Sequence, residues 1–348
     1  MNRRFPVPLA TLALALAIVL MAAPAFAQAP PAGTTVAANT AKAAAPAAKK
    51  GWTPPRGIDG HPDLSGVWTN STTVPLERPQ NLGAKEFFTE QEIATNARAA
   101  ADRQAKQAAR VETGDLAVHY DTSQFGLTGP TIQRVASMRT SLITGPEGRI
   151  PALVPEAGAR QKARQASVAG KQFDGYEFRP LAERCYFWGH VGPPMMPVGY
   201  NSMLQINQGL GYVAVVQEMI HDTRIIPTDG IKPHLPSNVR QWLGDSRGHW
   251  EGDTLVVETT NFNDRPAFRN ASENLKVTER FTRTAEDLIT YQFTVEDPQT
   301  WTKPWSAEIA MAKSDGAVYE YACHEGNYGM ANILSGARAD EAKAAAKQ

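Results

Sequence analysis

Alternation of apolar and polar residues is the sequence feature that most constrains the fold of this chain. From Tyr200 onward, short runs rich in Val, Ile, Thr, Tyr and Phe are separated by Gly, Asp, Asn and Pro. Successive side chains of a β-strand point to opposite faces, so a period of two predicts strands. The runs cover residues 200–208, 211–219, 222–227, 254–262, 275–283, 287–296, 305–312 and 317–323.

A meander of this many short antiparallel strands has to protect its edges. It does so either by closing into a barrel or by folding into two packed sheets. The segment 66–68 opens a further strand near the N-terminus, and a capping box at Thr89 and Glu92 predicts a helix over about 90–110. The sequence therefore predicts a mainly β fold, an antiparallel barrel or β-sandwich with a helical insertion near the N-terminus.

The faces of the later strands leave two interpretations of the interior open. In 275–283 and 287–296 one face is largely apolar and the other is polar. If the apolar face points inward, the interior is a filled core and Arg280 is exposed to solvent. If the polar face lines a closed barrel, a wet cavity is surrounded by Arg280, Gln292, Glu308 and Glu320.

Residues 1–27 are typical of a signal peptide. A positive head at 2–4 precedes an apolar run at 9–21, and the small residues of a cleavage site follow at 25–27. No second apolar run of this length occurs downstream, so no integral membrane segment is expected in the mature chain. We expect a soluble protein that is periplasmic or secreted.

The rest of the chain is predicted to be one domain between two disordered ends. Residues 28–56 form an Ala- and Pro-rich linker that cannot bury enough apolar surface to order itself. A single β-rich domain follows over 57–338, and 339–348 form a disordered tail. Residues 1–56 hold six Lys or Arg and no acid, which leaves 29 basic and 35 acidic residues in the remainder. This mildly acidic body argues against a nucleic-acid partner.

Cys185 and Cys323 are the two cysteines of the chain. In an exported protein an oxidising compartment favours their pairing, so we predict a disulfide. The alternative is a nucleophilic thiol at Cys323, activated by His324. Adjacent side chains on a strand point to opposite faces, which disfavours that alternative.

The stretch WLGDSRGHWEGDTLVVETTNF, residues 242–262, combines turn residues with ionisable ones. Gly252 and Asp253 are typical of a hairpin turn before the strand at 254–262. The ionisable residues Asp245, Arg247, His249 and Glu251 occupy alternate positions. On an extended chain they share one face, either as a surface ion-pair ladder or as an acid–base cluster at a barrel mouth.

Histidines beside carboxylates are the other candidates for acid–base chemistry. His221 is followed by Asp222, His234 lies in a Pro-flanked loop, and His324 precedes Glu325. Metal-ligand spacings such as HExxH or CxxC are absent, so no metal is predicted. The predicted catalytic residues are His221, Asp222, His234, Asp245, Arg247, Glu251 and His324.

Aromatic and charged residues around the strands are candidates for ligand contact. Trp301 and Trp305 share one face of an extended chain, where a sugar or arene could stack, although buried core tryptophans are equally ordinary. The predicted ligand-binding residues are Trp68, Arg224, Arg280, Trp301, Trp305, Glu320 and Glu325.

Several motifs carry a resemblance to known proteins. Residues 57–338 resemble an uncharacterised family of exported bacterial proteins through PDLSGVW, PLERP, RTSLITGPEGRIP, HDTRIIP, WLGDSRGHWEGDTLVVETTNF, ENLKVTERFTR and YACHEGNYG. Gly66-x-Trp68 opening a meander is similar to the first strand of lipocalin-like, or calycin, barrels. No reaction is established for the family, so the resemblance implies no catalytic residue.

Three classes of function remain from the sequence. The first is an exported enzyme that uses His and carboxylate acid–base chemistry on an organic or carbohydrate-like substrate. The second is a non-catalytic lipocalin-like carrier of a small molecule, and the third is a cell-envelope interaction module. No GxSxG motif, P-loop or dinucleotide fingerprint is present, so no cofactor is predicted.

Overall fold

A single antiparallel sheet dominates the computed structural model of the protein. The predicted signal peptide and residues 28–50 of the predicted linker lie outside the residues that the structure describes. Those residues are 51–110, 137–230, 232–263, 265 and 268–347.

Nine strands, all antiparallel to their neighbours, make up this sheet within the described residues. In spatial order they run β4-β3-β2-β1-β9-β8-β7-β6-β5. They are β1 Gly66–Thr69, β2 Met203–Gly209, β3 Tyr212–Gln217, β4 Thr223–Pro227, β5 Asp245–Glu251, β6 Thr254–Thr260, β7 Lys276–Ala285, β8 Leu288–Glu296 and β9 Trp305–Lys313.

The two edge strands, β4 and β5, approach each other and nearly close the sheet into a barrel. A methyl group on Gly248 of β5 would lie 3.0 Å from side-chain carbons of Ile226 and Thr228, so a larger residue would force these side chains to shift. The predicted mainly β fold is therefore confirmed, in the form of a barrel-shaped sheet.

The predicted strand at 317–323 is wrong. The sheet ends with β9 at Lys313, and residues 317–322 are irregular and mostly exposed. Because the edge strands β4 and β5 approach each other, little space remains between them for a further strand. By contrast, the polar stretch before Gly252 is extended as β5, and Gly252 and Asp253 form the predicted hairpin turn.

Three helices lie outside the sheet in the described residues, namely α1 Glu90–Arg110, α2 Pro155–Val168 and α3 Tyr328–Ala345. At the start of α1, Thr89 N donates to Glu92 Oε2 over 2.8 Å and Glu92 N to Thr89 Oγ1 over 3.3 Å. Helix α3 has no buried residues and includes much of the end for which the sequence predicts disorder. None of the described helices has both the length and the apolar character needed to cross a membrane.

The barrel interior is a filled apolar core. Val277 and Phe281 of β7 and Phe293 of β8 point inward and are almost completely buried. Arg280 points outward and pairs with Glu251. The wet-cavity interpretation is therefore wrong: on the outer surface lie Arg280, Gln292 and Glu308, and Glu320 is exposed outside the strands.

One end of the barrel is occupied by residues 188–197, here called the plug. Its Met195 is completely buried in the core, and the Met195 amide donates to the hydroxyl of Tyr291 over 2.9 Å. The plug enters at the end where β1 finishes and β2 begins, and it takes the space that a ligand would occupy in an open barrel.

The predicted disulfide between Cys185 and Cys323 is confirmed. Their Cα atoms are 5.7 Å apart, and the bond links positions separated by 138 residues. It ties the chain just before the plug to the segment that follows β9. Val191, Met219 and Ile220 form a small apolar cluster beside it, which gives the plug a second attachment.

We expect loss of this disulfide to destabilise the whole domain. Replacing both cysteines, as Cys185→Ser with Cys323→Ser, should lower the free energy of unfolding by about 2–5 kcal/mol, because the crosslink restricts the unfolded chain over a long loop. Urea unfolding of the oxidised protein, the reduced protein and the double variant measures the effect. A reduced protein as stable as the oxidised one would contradict it.

Candidate functional site

A cleft of about 480 Å³, here called the rim cleft, opens beside the plug. Four segments distant in sequence build it: the chain after β1, the loop that contains Leu142, the plug, and the turn that precedes β7. Its lining residues are Thr72, Val74, Leu76, Leu142, Gly189, His190, Met196, Pro197, Phe268 and Arg269.

Arg78 fixes the outer wall of the rim cleft. It is 1% exposed, and its guanidinium donates to Thr140 Oγ1 over 3.0 Å and to the carbonyls of Gly145 and Pro146. Buried polar groups have to be hydrogen-bonded, so this cation holds the 140–148 loop against 75–78. In consequence Leu76 and Leu142 stand together in the wall.

The plug forms the facing wall, and its main-chain groups are tied down. Met196 N donates to the carbonyl of His190 over 3.1 Å, and Asn70 Nδ2 donates to the carbonyl of Met196 over 3.2 Å. These bonds hold the plug in a tight turn. As a result the imidazole of His190 faces the rim cleft while Met195 points into the core.

The third wall is a turn with unusual backbone geometry. Phe268 is buried, with its ring 5.9 Å from the ring of Trp305. Arg269 and Asn270 follow with φ angles of 49° and 60°, a left-handed conformation that non-glycine residues rarely adopt. The core contact of Phe268 and this backbone geometry together place the guanidinium of Arg269 at the rim cleft.

His190 and Arg269 are the ionisable groups of the rim cleft. Burial lowers the pKa of His190 below its ordinary 6.5, and the charge of Arg269 lowers it further. Burial also lowers the pKa of Arg269, while Glu77 opposes that shift. Both residues are exposed along the open side, yet the surrounding walls desolvate them. Arg269 has no salt bridge with any residue in the described ranges.

This arrangement suits a ligand with an apolar body and an anionic group. The walls supply aliphatic and aromatic contacts, and the cation Arg269 forms no salt bridge with a described residue. A concave apolar site with a few convergent polar groups is the usual form of a small-molecule site. Because His190 is neutral near pH 7, its ring can donate or accept a proton at the ligand.

Predicted catalytic residues around β5 come together on the outer face of the barrel. Arg247 donates to Asp245 Oδ1 over 2.6 Å, and His234 Nδ1 lies 3.0 Å from Asp245 Oδ2. Farther along the strand, Glu251 Oε2 accepts from Arg280 over 3.1 Å and Glu251 Oε1 lies 3.5 Å from His249 Nε2. The alternate positions of β5 therefore form the ion-pair ladder, away from the rim cleft.

The remaining histidine candidates lie near the disulfide. His221 Nδ1 lies 3.0 Å from the carbonyl of Tyr321. Burial raises the pKa of Asp222, and His221 partly offsets that shift. His324 and Glu325 are exposed in the turn before α3. Among the described residues that line the rim cleft, none is a predicted catalytic residue.

The predicted tryptophans are buried rather than displayed as a stacking platform. Trp68, Trp301 and Trp305 are at most 5% exposed, and the rings of Trp301 and Trp305 meet edge to face at 5.8 Å. Trp301 also lines a second cleft of about 280 Å³, here called the side cleft. Arg269 lines both clefts.

Arg224, a predicted ligand contact, belongs to a buried network instead. Its guanidinium binds both carboxylate oxygens of Glu279, and Tyr291 donates to Glu279 Oε1 over 2.8 Å. Burial alone would lower the pKa of Arg224, but Glu279 raises it overall. Burial, followed by Glu279, raises the pKa of Tyr291. The tyrosine hydroxyl in turn accepts from Met195, so the network anchors the plug.

His190, Arg269 and Glu279 are not among the residues that the sequence predicts for a site. Glu279 carried a readable signal, since it stands in phase with Val277 and Phe281 on an apolar face. His190 and Arg269 carried a weaker one, a histidine in a Gly- and Pro-rich segment and an arginine before asparagine in a turn. No spacing relates these two, because only the fold brings their segments together.

Comparisons of the chain with protein-family models, curated proteins and solved structures found no match. The lipocalin-like resemblance of Gly66-x-Trp68 therefore stays a prediction. Within the described residues, no group of three or more His, Cys, Asp or Glu side chains is placed to hold a metal ion. The candidate site thus rests on its geometry and electrostatics.

We expect Glu279→Gln to destabilise the barrel strongly. The substitution leaves the buried guanidinium of Arg224 without its carboxylate, which typically costs about 3–5 kcal/mol of unfolding free energy. Glu258→Gln is the matched control, since Glu258 pairs with Lys276 at the surface and should cost about 1 kcal/mol or less. Urea unfolding measures both, and equal losses would contradict the structural role of Glu279.

We expect His190 to titrate below pH 6.5 in the folded protein. Arg269→Gln should raise the pKa of His190 but leave it below 6.5, because burial is the larger cause. The folded state binds this proton less readily than the unfolded chain, so the stability from His190 is complete above about pH 6.5 and falls at lower pH. NMR titration of the imidazole measures the pKa, and a value above 6.5 would contradict this electrostatic description.

Proposed function

We propose that this chain is an exported small-molecule-binding protein whose ligand is an organic anion with an apolar body. The observation that carries this proposal is the position of Arg269, a cation that forms no salt bridge with a described residue, at the edge of the apolar rim cleft. A ligand carboxylate or similar anion would complete that charge. Charge-assisted hydrogen bonds of this kind are among the stronger polar interactions in proteins.

The rim, rather than the barrel interior, is the binding position in this proposal. In the described part of the chain the interior is filled by core side chains and by Met195. A carrier with a ligand inside the barrel would have to expel the plug and break the bond from Met195 to Tyr291. Binding at the rim requires no such rearrangement.

Export is supported by two independent features. The N-terminal sequence is typical of a signal peptide, and Cys185 and Cys323 form a disulfide. Disulfides persist in the periplasm and outside the cell. We therefore propose that the protein works in one of these compartments.

A second candidate function is an enzyme that uses His190 as a general base. The observation that favours it is a neutral imidazole that is open to the rim cleft, with no hydrogen bond from its ring to any described residue. The neighbouring guanidinium of Arg269 would stabilise negative charge that develops on a substrate. Under this candidate, the predicted acid–base chemistry is retained but moves to a different histidine.

Binding of octanoate tests the proposal. Isothermal titration calorimetry should detect octanoate binding, and 1-octanol, which has the same chain without the charge, should bind more weakly. Arg269→Gln should weaken octanoate binding about 10-fold or more, because a charge-assisted hydrogen bond is lost. Binding should also strengthen from pH 8 to pH 6, because the anion favours the protonated form of His190.

Arg56→Gln is the matched control. Arg56 pairs with Asp253 in the β5–β6 turn at the opposite end of the barrel, so this variant should bind octanoate like the wild type. Absence of binding, or binding that is indifferent to Arg269→Gln, would overturn the proposal. NMR spectra of the ligand, recorded over time in the presence of the protein, distinguish the binding protein from the enzyme. An unchanged ligand indicates a carrier. Conversion of the ligand that is abolished by His190→Gln indicates an enzyme.

A further inference from the structure

The side cleft adjoins the rim cleft through one residue. Arg269 lines both, so this residue stands at the junction between them. On the far side of this junction the side cleft is lined by Leu153, Gln161, Asn270, Thr300 and Trp301, among others. A ligand whose carboxylate binds Arg269 could therefore extend into both clefts.

The two clefts differ in the chemistry they offer. Beyond Arg269 and His190, the rim cleft presents mainly aliphatic and aromatic groups. The side cleft adds two primary carboxamides, those of Gln161 and Asn270, and neither has a hydrogen bond to another described residue. A carboxamide both donates and accepts, so the pair matches a hydroxyl or amide group on a ligand.

Hydrogen bonds hold the walls of the side cleft in position. Val154 N donates to the carbonyl of Thr300, and Thr302 N to the carbonyl of Ala152, both over 3.0 Å. Arg160 from α2 adds a bond to Thr300 Oγ1 over 2.9 Å. These contacts fix α2, and with it Gln161, against the segment around Thr300 that precedes β9.

The backbone at the junction is held in an unfavourable conformation. Arg269 and Asn270 are consecutive left-handed residues, and neither is glycine. Such strain persists only where the surrounding structure enforces it, and it commonly marks ligand clamps. Here it directs one side chain to the junction and the next into the side cleft.

We propose that the two clefts form one extended site for a branched organic acid of the N-acyl amino acid type. Its carboxylate lies at Arg269, its acyl chain lies in the rim cleft, and its hydrogen-bonding side chain lies in the side cleft against Gln161 and Asn270. This inference rests on the proposed function and adds the class of ligand.

N-Octanoyl-L-asparagine is the probe, with N-octanoyl-L-alanine and octanoate as controls. Calorimetry should show that the asparagine conjugate binds about 10-fold tighter than octanoate or the alanine conjugate. Only the side chain of the asparagine conjugate can form hydrogen bonds with the carboxamides of Gln161 and Asn270. Gln161→Leu should remove that gain and leave octanoate affinity unchanged. Asn270→Gly should act similarly, because glycine keeps the left-handed backbone while losing the amide.

Equal affinity for the three probes, or a gain that survives both side-cleft variants, would overturn this inference. In that outcome octanoate would still bind in an Arg269-dependent manner, so the proposed function would stand. Failure of all three probes to bind would overturn both. Circular dichroism and thermal unfolding of each variant confirm that it is folded; if Gln161→Leu does not fold, Asn270→Gly decides the result.

Discussion

The ion pair between Arg224 and Glu279 is the interaction on which the barrel depends. Strands β4 and β5 are the two edges of the sheet, and no ladder of backbone hydrogen bonds joins them within the described residues. Arg224 lies on the edge strand β4 and Glu279 on β7, two strands in from β5, so their contact links the two sides of this gap through the barrel interior. A buried ion pair adds little to stability compared with a well-packed apolar pair, but it is specific in direction and distance. It therefore fixes which edges meet, while the apolar core supplies most of the stabilising free energy.

The same network determines where a ligand can bind. Tyr291 connects Glu279 to the backbone of Met195, and this bond seats the plug in the mouth of the barrel. With Met195 inward, the next residue, Met196, becomes part of a surface wall. The interior of the barrel is filled, and the rim cleft lies outside it. The two arginines are separated in the same way. Arg224 lies inside the barrel and is paired with Glu279, whereas Arg269, which forms no salt bridge with a described residue, lies at the rim.

How much of the fold and of the candidate site can be predicted from the sequence depends on how far apart in the chain the interacting residues lie. Strand periodicity is local, so most runs after Tyr200 correspond to strands, and two cysteines allow only one pairing within the chain. The run at 317–323 has a strand-like composition, but composition does not reveal that the edge strands β4 and β5 approach each other. The rim cleft was beyond prediction because Leu76, His190 and Arg269 meet only after the barrel has formed. The burial of Glu279 could have been predicted, since a carboxylate on the same face of a strand as apolar neighbours indicates a buried partner.

The disulfide also has a consequence for how the protein withstands proteolysis. The disulfide encloses eight of the nine strands in the described residues, β2–β9, so β1 alone among these strands lies outside the closed loop. A protease that cleaves one exposed turn within this loop produces two ends but not two molecules. Both pieces stay covalently joined, and the intact hydrogen bonds and core hold the cut in place. A single nick in most of the barrel is therefore tolerated, and only a second cut can release a fragment.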